Sequence, residues 1–174
     1  MEELLNFVDE KDEVLGTDTK ESIKLKKRNY RVSHIWVFSA EELLICRRPA
    51  QSLAYADLWT SSAGGHVKAG ESYHEAAVRE AAEELGIPLQ IEHAFTFDYL
   101  HPRGGHVFID LWISRNSEHL AEMCFDAREI TEFRFITLAK LLKEMKDEPE
   151  LFNPQFIQLV ERWTENESEK NYRC

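Results

Sequence analysis

The chain reads as an α/β (α+β) protein, one sheet held between helices, and three observations predict it. β-rich runs fall into two groups with a single helical stretch, residues 72–85, between them. Two amphipathic stretches close the sequence. No strand–helix alternation recurs along the chain, which argues against a doubly wound parallel array. No repeat, linker or composition shift divides the 174 residues, and a chain of this length buries one core. One domain over 1–174 is expected, with an N-terminal hairpin extension over about residues 1–30.

Taken in order, LNFVDEKDEVLG is bounded by turn residues and predicts a hairpin, and the basic run KLKKRNYR leads into a strand. VSHIWVFSAEELLICRRP predicts two strands joined near Ser39 to Glu42, because β-branched and aromatic side chains suit a pleated, half-buried surface. IEHAFTFDYL and HVFIDLWIS form a second pair, turned at Arg103-Gly104-Gly105, and EITEFRFI is a further strand. TLAKLLKEMK and PQFIQLVERW carry apolar residues at helical intervals and are expected to pack on the sheet.

Composition narrows the function. Lysine plus arginine number 21 against 32 aspartates and glutamates, a net charge of −11, which opposes binding to nucleic-acid phosphates. Cys46, Cys124 and Cys174 have no framework spacing and suit a reducing compartment. No apolar run approaches the ~20 residues of a membrane span, and the acidic N-terminus resembles neither signal nor transit sequence. A cytoplasmic protein with neither nucleic-acid nor membrane partners is expected. No ATP-binding loop, catalytic triad or zinc signature is present.

The chemistry concentrates in GGHVKAGESYHEAAVREAAEELGI, residues 64–87. Ser72 and Glu75 have the spacing of a capping box, and Gly86 sits where a left-handed cap ends a helix. At ~100° per residue, Val78, Ala81, Ala82 and Leu85 share one face, expected to be the core face, and Glu80, Glu83 and Glu84 share the opposite one. Like charges at this spacing repel by roughly 0.2–0.5 kcal/mol per pair, and Arg79 alone cannot neutralise three of them. An E-x-x-E-E in isolation is an ordinary solvated face. Here Gly64-Gly65 can turn the backbone and present a carbonyl, and Gly70 relieves the chain before the helix. A hard divalent ion takes such oxygen ligands and keeps waters that substrate phosphates replace, so the cluster reads as a Mg²⁺ site.

Gly65, Glu71, Arg79-Glu80, Glu83-Glu84, Gly86 and Ile87 resemble the Nudix box at each of its fixed positions. The resemblance implies an α/β/α sandwich with a mixed β-sheet and hydrolysis of a diphosphate linked to another moiety. It implies Glu80, Glu83 and Glu84, with the Gly64 or Gly65 carbonyl, as ligands to Mg²⁺, or Mn²⁺ as an alternative. It further implies Arg79 orienting a glutamate and Glu71 supporting the loop or the metal. Substitution at phosphorus is limited by charge on the phosphoryl oxygens and by the weakness of water as a nucleophile, and bound metal addresses both. A carboxylate then accepts the proton: Glu83 or Glu84 within the box, with Glu129 or Glu132 of REITEF as the alternative.

VDEKDEVLG, LLICRRP, ADLWTSSAGGHVKAGES and EITEFRFI resemble the Nudix branch that includes isopentenyl diphosphate isomerase. Isomerases of that branch carry a catalytic cysteine where this chain has Gly64, and Lys24 and Arg31 stand where two metal-binding histidines are expected, with His34 offset. A hydrolase is therefore expected; an isomerase-like enzyme and a non-catalytic Nudix-fold binding module are the alternatives, and the intact glutamate set opposes the latter. The expected partner is a small-molecule diphosphate, a nucleoside diphosphate derivative or a related organic diphosphate; the oligomeric state is open, a homodimer included.

On the substrate side stand Glu71, Glu129, Glu132, and Arg47 and Arg48, of which strand alternation sends one toward the site. Tyr55, Trp59, Phe97, Tyr99 and Trp112 are either stacking surfaces or core. His101, Arg103 and His106 share a turn that borders the substrate or faces solvent, and His66 is read as a loop histidine bonded locally.

Overall fold

The computed structural model describes residues 2–102, 104–115 and 120–172. The N-terminal run forms the expected hairpin, β1 (Leu4–Val8) and β2 (Val14–Thr19). The basic run that follows was expected only to lead into a strand; it begins as a short helix, α1 (Lys20–Leu25). The Thr19 hydroxyl caps it by accepting from Ser22 N at 3.2 Å, and fully buried Ile23 anchors it. β3 (Asn29–Ser39) and β4 (Glu42–Arg47) form the first expected pair.

Two unexpected strands come next, β5 (Trp59–Thr60) and β6 (Ala63–His66), so the glycine pair lies in a strand and not in a free loop. Glycine is depleted in strands and conceals this one from a propensity reading. It forms because β3 supplies a ladder, from Val32 opposite His66 to Ile35 opposite Ala63. The Ser62 hydroxyl adds a bond from Val37 N at 2.8 Å and donates to the Leu44 carbonyl at 2.6 Å.

Then come α2 (Tyr73–Leu85), the second strand pair β7 (Glu92–Leu100) and β8 (His106–Ser114), β9 (Glu132–Thr137), α3 (Leu138–Asp147) and α4 (Pro154–Tyr172). β3 is the spine. It runs antiparallel to β1, β4 and β6 but parallel to β8, from Tyr30 opposite Val107 to Val37 opposite Ser114, which makes the sheet mixed. β4 carries β5 and β9 as antiparallel partners.

Alternation along β3 separates the two layers. Tyr30, Val32, Trp36 and Phe38 belong to the larger core with Leu141 and Met145 of α3 and Phe156, Leu159 and Trp163 of α4. The Trp36 ring lies 5.9 Å from that of Phe156 and 5.5 Å from that of Trp163. Ile35 and Val37 join Ala77 and Leu85 of α2 in the second core. The α/β/α layering with a mixed sheet is thus observed. No described helix is long and apolar enough to cross a membrane.

Candidate functional site

The glutamate helix is built at both ends as its sequence predicts. The Ser72 hydroxyl accepts from Glu75 N at 3.2 Å, the Glu75 carboxylate accepts from Ser72 N at 2.8 Å, and Gly86 closes the helix at φ 70°. Its phase differs from the expected one. Ala76, Ala77, Ala81 and Leu85 are buried, whereas Val78 is 42% exposed and Ala82 faces out. Small side chains win the inner face because α2 packs tightly on β3 and β6. Glu80 is consequently only 9% exposed and does not belong to an open carboxylate patch. It lies over Gly65, where a Cβ would stand 2.2 Å from Glu80 Oε1, so any side chain there would displace the Glu80 carboxylate.

Arg79 ties the motif together. Its guanidinium donates to both Glu71 oxygens (2.7 and 2.9 Å), to Glu80 (2.7 Å), to Glu83 (3.2 Å) and to the His66 carbonyl (3.0 Å). These bonds hold the Glu71 carboxyl below its ordinary range, chiefly through Arg79, and raise the pKa of Arg79 in return. The segment leading to α2 is pinned from both sides. Val67 N donates to the Arg31 carbonyl at 3.1 Å, Ala69 N to the Leu4 carbonyl at 2.9 Å, and Lys68 N to Glu71 at 3.0 Å.

Glu84 accepts from Gly64 N at 3.4 Å. Burial pushes its carboxyl well above the ordinary value, the charges of Glu80 and Glu129 add to this, and Arg48 opposes it. Burial also raises Glu80, against the pull of Arg79. Glu83 is half exposed and engages Arg79 and Lys68, the latter at 3.8 Å. Among the described residues no three His, Cys, Asp or Glu side chains converge as a metal-binding group. Of the three expected glutamate ligands, Glu80 and Glu84 are neighbours beside Gly65 and Gly64, and Glu83 lies toward Arg79 and Lys68.

The two arginines after β4 part as alternation requires. Arg47, the last residue of β4, bonds Asp57 at 3.1 Å and Glu132 at 3.2 Å, which leaves both it and Glu132 engaged with each other. Arg48 faces the other way, where its charge acts on Glu84, His34 and His66. Of the REITEF carboxylates, Glu129 is the one whose charge reaches Glu84.

His66 is a strand residue, not a loop one. Its ring lies 5.5 Å from that of Tyr30 and its Nδ1 3.8 Å from Glu3. Burial, followed by the charges of Lys20, Lys24, Arg48 and Arg79, holds its pKa well below the ordinary value.

Trp59 and Tyr99 are buried in the larger core, and Phe97 packs against it. Trp112 lies on the other face between His74 and His93, at 5.0 and 5.2 Å. Tyr55 reaches His101, its hydroxyl 3.4 Å from Nε2. His106 pairs with Asp98 at 3.0 Å, and Arg103 lies outside the described residues.

Sequence reasoning set aside His34 and passed over Ser61. His34 is 6% exposed; its Nδ1 lies 3.0 Å from the Ser61 hydroxyl, and its buried Nε2 has no hydrogen-bond partner among the described residues. Burial, aided by Arg48, lowers its pKa to about 4. A single imidazole within an apolar strand carries no spacing signal, so only the register of β3 against β6, which sets His34 opposite Gly64, reveals it.

The sequence matches the NUDIX domain family over residues 27–159. It is 28% identical over 169 residues to an isopentenyl-diphosphate Delta-isomerase 2 of Photorhabdus laumondii, covering 92% of each chain. It is 34% identical over 151 residues to an uncharacterized Nudix hydrolase of Pseudomonas aeruginosa, covering 84% of this chain and 86% of that one. Among solved structures, DR0079 from Deinococcus radiodurans matches with a TM-score of 0.79 at 27% identity, covering 92% of this chain and 98% of its own. With a family match that takes in the whole glutamate helix and the sheet from β3 onward, and relatives that run most of its length, this chain belongs to the Nudix hydrolase family.

Proposed function

We propose that the protein is a cytoplasmic, Mg²⁺-dependent hydrolase, with Mn²⁺ as an alternative metal, acting on the diphosphate linkage of a small molecule. The substrate class is a nucleoside diphosphate derivative or a related organic diphosphate, and the chain acts as one domain. The observation that carries this reading is the pair of carboxylates, Glu80 buried and Glu84 partly buried, beside the two glycines. Both are destabilised as anions by burial, and Gly65 leaves space that any Cβ would fill. Such a donor set fits a hard divalent cation. Glu80 and Glu84 with the Gly64 or Gly65 carbonyl would hold it, with Glu83 at its exposed side; when bound, it would neutralise phosphoryl charge and acidify water.

The remaining roles belong to the chain. Arg79 fixes Glu80 and Glu71, so the carboxylates keep their orientation as the substrate enters. Glu84, which accepts from Gly64 N, is the group placed to accept a proton; Glu83 is the alternative. Arg48 supplies positive charge for the diphosphate on the same side as Glu84. The isomerase alternative is less well supported. A Cβ at Gly64 would lie 2.8 Å from the Ser33 carbonyl and 2.9 Å from His34 Nδ1, so this backbone does not accommodate a cysteine there. Arg31 is committed to Asp12 at 2.7 Å.

The test is a panel of diphosphates incubated with Mg²⁺ or Mn²⁺ and resolved by chromatography, with E84Q and E83Q beside the parent. Metal-dependent cleavage that drops about 10²-fold or more in one glutamine variant is expected. No cleavage of any diphosphate, or conversion of isopentenyl diphosphate to its dimethylallyl isomer at enzyme-like rates, would refute the reading.

A further inference from the structure

The carbonyls in the last turn of a helix have no donor within it. In α2 two of them are met by a segment from beyond β8: Asp126 N donates to the Glu84 carbonyl at 3.1 Å and Cys124 N to the Leu85 carbonyl at 2.9 Å. Gly86 lets this segment approach the helix end, since a Cβ there would lie 2.7 Å from the Cys124 carbonyl oxygen. Glu84 is thereby gripped twice, its main chain by Asp126 and its carboxylate by Gly64 N. The other two glutamates have different holds. Glu80 lies over Gly65 and bonds Arg79, and Glu83 reaches Arg79 and Lys68.

Asp126 is also the pivot of the turn that follows. Its carbonyl accepts from Glu129 N at 2.9 Å and from Ile130 N at 2.8 Å, and its carboxylate accepts from Arg128 N at 2.9 Å. An aspartate that bonds the main-chain N–H two residues on shapes a turn by itself. The Arg128 guanidinium adds a bond of 2.6 Å and holds the Asp126 carboxyl well below the usual carboxylate range, so the acceptor stays ionised. Beyond the turn, Ile130 is buried in the second core with Leu85 and Ile87, and Thr131 N donates to the Arg47 carbonyl at 3.0 Å. The turn is therefore seated on the core and on β4 at one end and bonded to α2 at the other. It is a clasp, and the Asp126 side chain sets its shape.

We propose that Asp126 is a positioning residue of the hydrolytic site: it clasps the last turn of α2 and so keeps the Glu84 carboxylate against Gly64, at the place where the site would hold a divalent cation. The proposal rests on the hydrolase reading of the glutamate site. Asp126 touches neither metal nor substrate in this role. It acts through Glu84, whose main chain it bonds, so loosening it weakens the hold on the cation and slows the chemical step while substrate affinity stays nearly as it was. A cap that served stability alone would matter equally whether or not Glu84 carried its charge.

A double-mutant cycle on the full chain separates these roles: the parent, D126A, E84Q and D126A/E84Q, with Mn²⁺ binding titrated by electron paramagnetic resonance, and kcat and KM measured on a cleaved diphosphate. D126A is expected to weaken Mn²⁺ binding and to lower kcat, each by about tenfold or more, with KM changed by no more than about twofold. On E84Q, which already lacks the charge to be positioned, D126A is expected to add less than about threefold. D126N keeps an acceptor for Arg128 N and is expected to recover most of the loss. If D126A shows no cooperative melting transition, D126S, with its shorter reach, takes its place in the cycle. Parental Mn²⁺ affinity and kcat in D126A, an equal loss on E84Q, or a D126N as impaired as D126A overturns the proposal, as does a parent that binds no Mn²⁺. Mn²⁺ binding that depends on Asp126, with no cleavage of any diphosphate, would sink the hydrolase reading and leave the clasp standing; cleavage with D126A equal to the parent would do the reverse.

Discussion

Gly65 and Glu80 define each other. One has no side chain, and the other lays its carboxylate in the space that a side chain would take, 2.2 Å from where a Cβ would be. G65A must displace Glu80 or the strand. Overpacking of this kind costs about 1–3 kcal/mol, and the lost carboxylate geometry should lower turnover about tenfold or more, as sub-ångström misplacement of a catalytic group does. Melting temperature and kcat on a cleaved diphosphate check it; a variant with parental kcat would remove Glu80 from the catalytic set. The identities of both residues were legible from their spacing. The burial of Glu80 was not, because Ala76 and Ala77 contribute little to an apolar pattern while Val78 dominates it. Contact with a glycine-bearing strand reverses that order, since only the alanines allow the helix to approach.

At the scale of elements, the β1–β2 hairpin supports the start of α2. The Asp12 carboxylate accepts from Arg31 Nε at 2.7 Å and from the Tyr73 hydroxyl at 2.9 Å, and Arg31 also donates to the Asp12 carbonyl. The Arg31 guanidinium lies over the Tyr73 ring, 5.3 Å from its centroid. Burial and the Asp12 carboxylate raise the pKa of Tyr73, which keeps its proton for that bond. Y73F should lose about 1–2 kcal/mol, the penalty for leaving a half-buried carboxylate short of a donor, and this is read from denaturant midpoints. A parental midpoint would show that the hairpin rests on α2 without bracing it. The hairpin and both strand pairs were visible in the sequence through their turn residues. β6 was not, because its glycines serve close approach to Glu80 and His34, and a propensity scale records them only as strand breakers.

For the whole molecule, the layer order followed from the order of elements, but the parallel pairing of β3 with β8 joins segments more than seventy residues apart and leaves no local mark. That pairing and its neighbours bury His34, with a consequence for acid stability. His34 titrates near 4 in the fold against an ordinary 6.5, so between these values the unfolded chain binds more protons and stability rises with pH. The contribution is complete above about pH 6.5 and is lost as pH falls through 4, amounting to roughly 3 kcal/mol. His66, also lowered, acts in the same sense. H34N keeps a polar group near Ser61 without the titration, so its stability should fall less steeply over pH 6.5 to 4 in equilibrium unfolding. Equal slopes for variant and parent would mean that the imidazole is not the group that charges.

The division of labour across β3 bears on how such a protein can change over generations. The carboxylates hang from α2, packed on β6, whose ladder to β3 an insertion would throw out of register, whereas Tyr55 and His101 hang from the connecting segments after β4 and after β7. Those two segments tolerate new lengths and residues without disturbing a single bond of Arg79. A lineage built on this frame can rewrite two short stretches of chain while the glutamate helix and the arginine that ties it together are inherited unaltered.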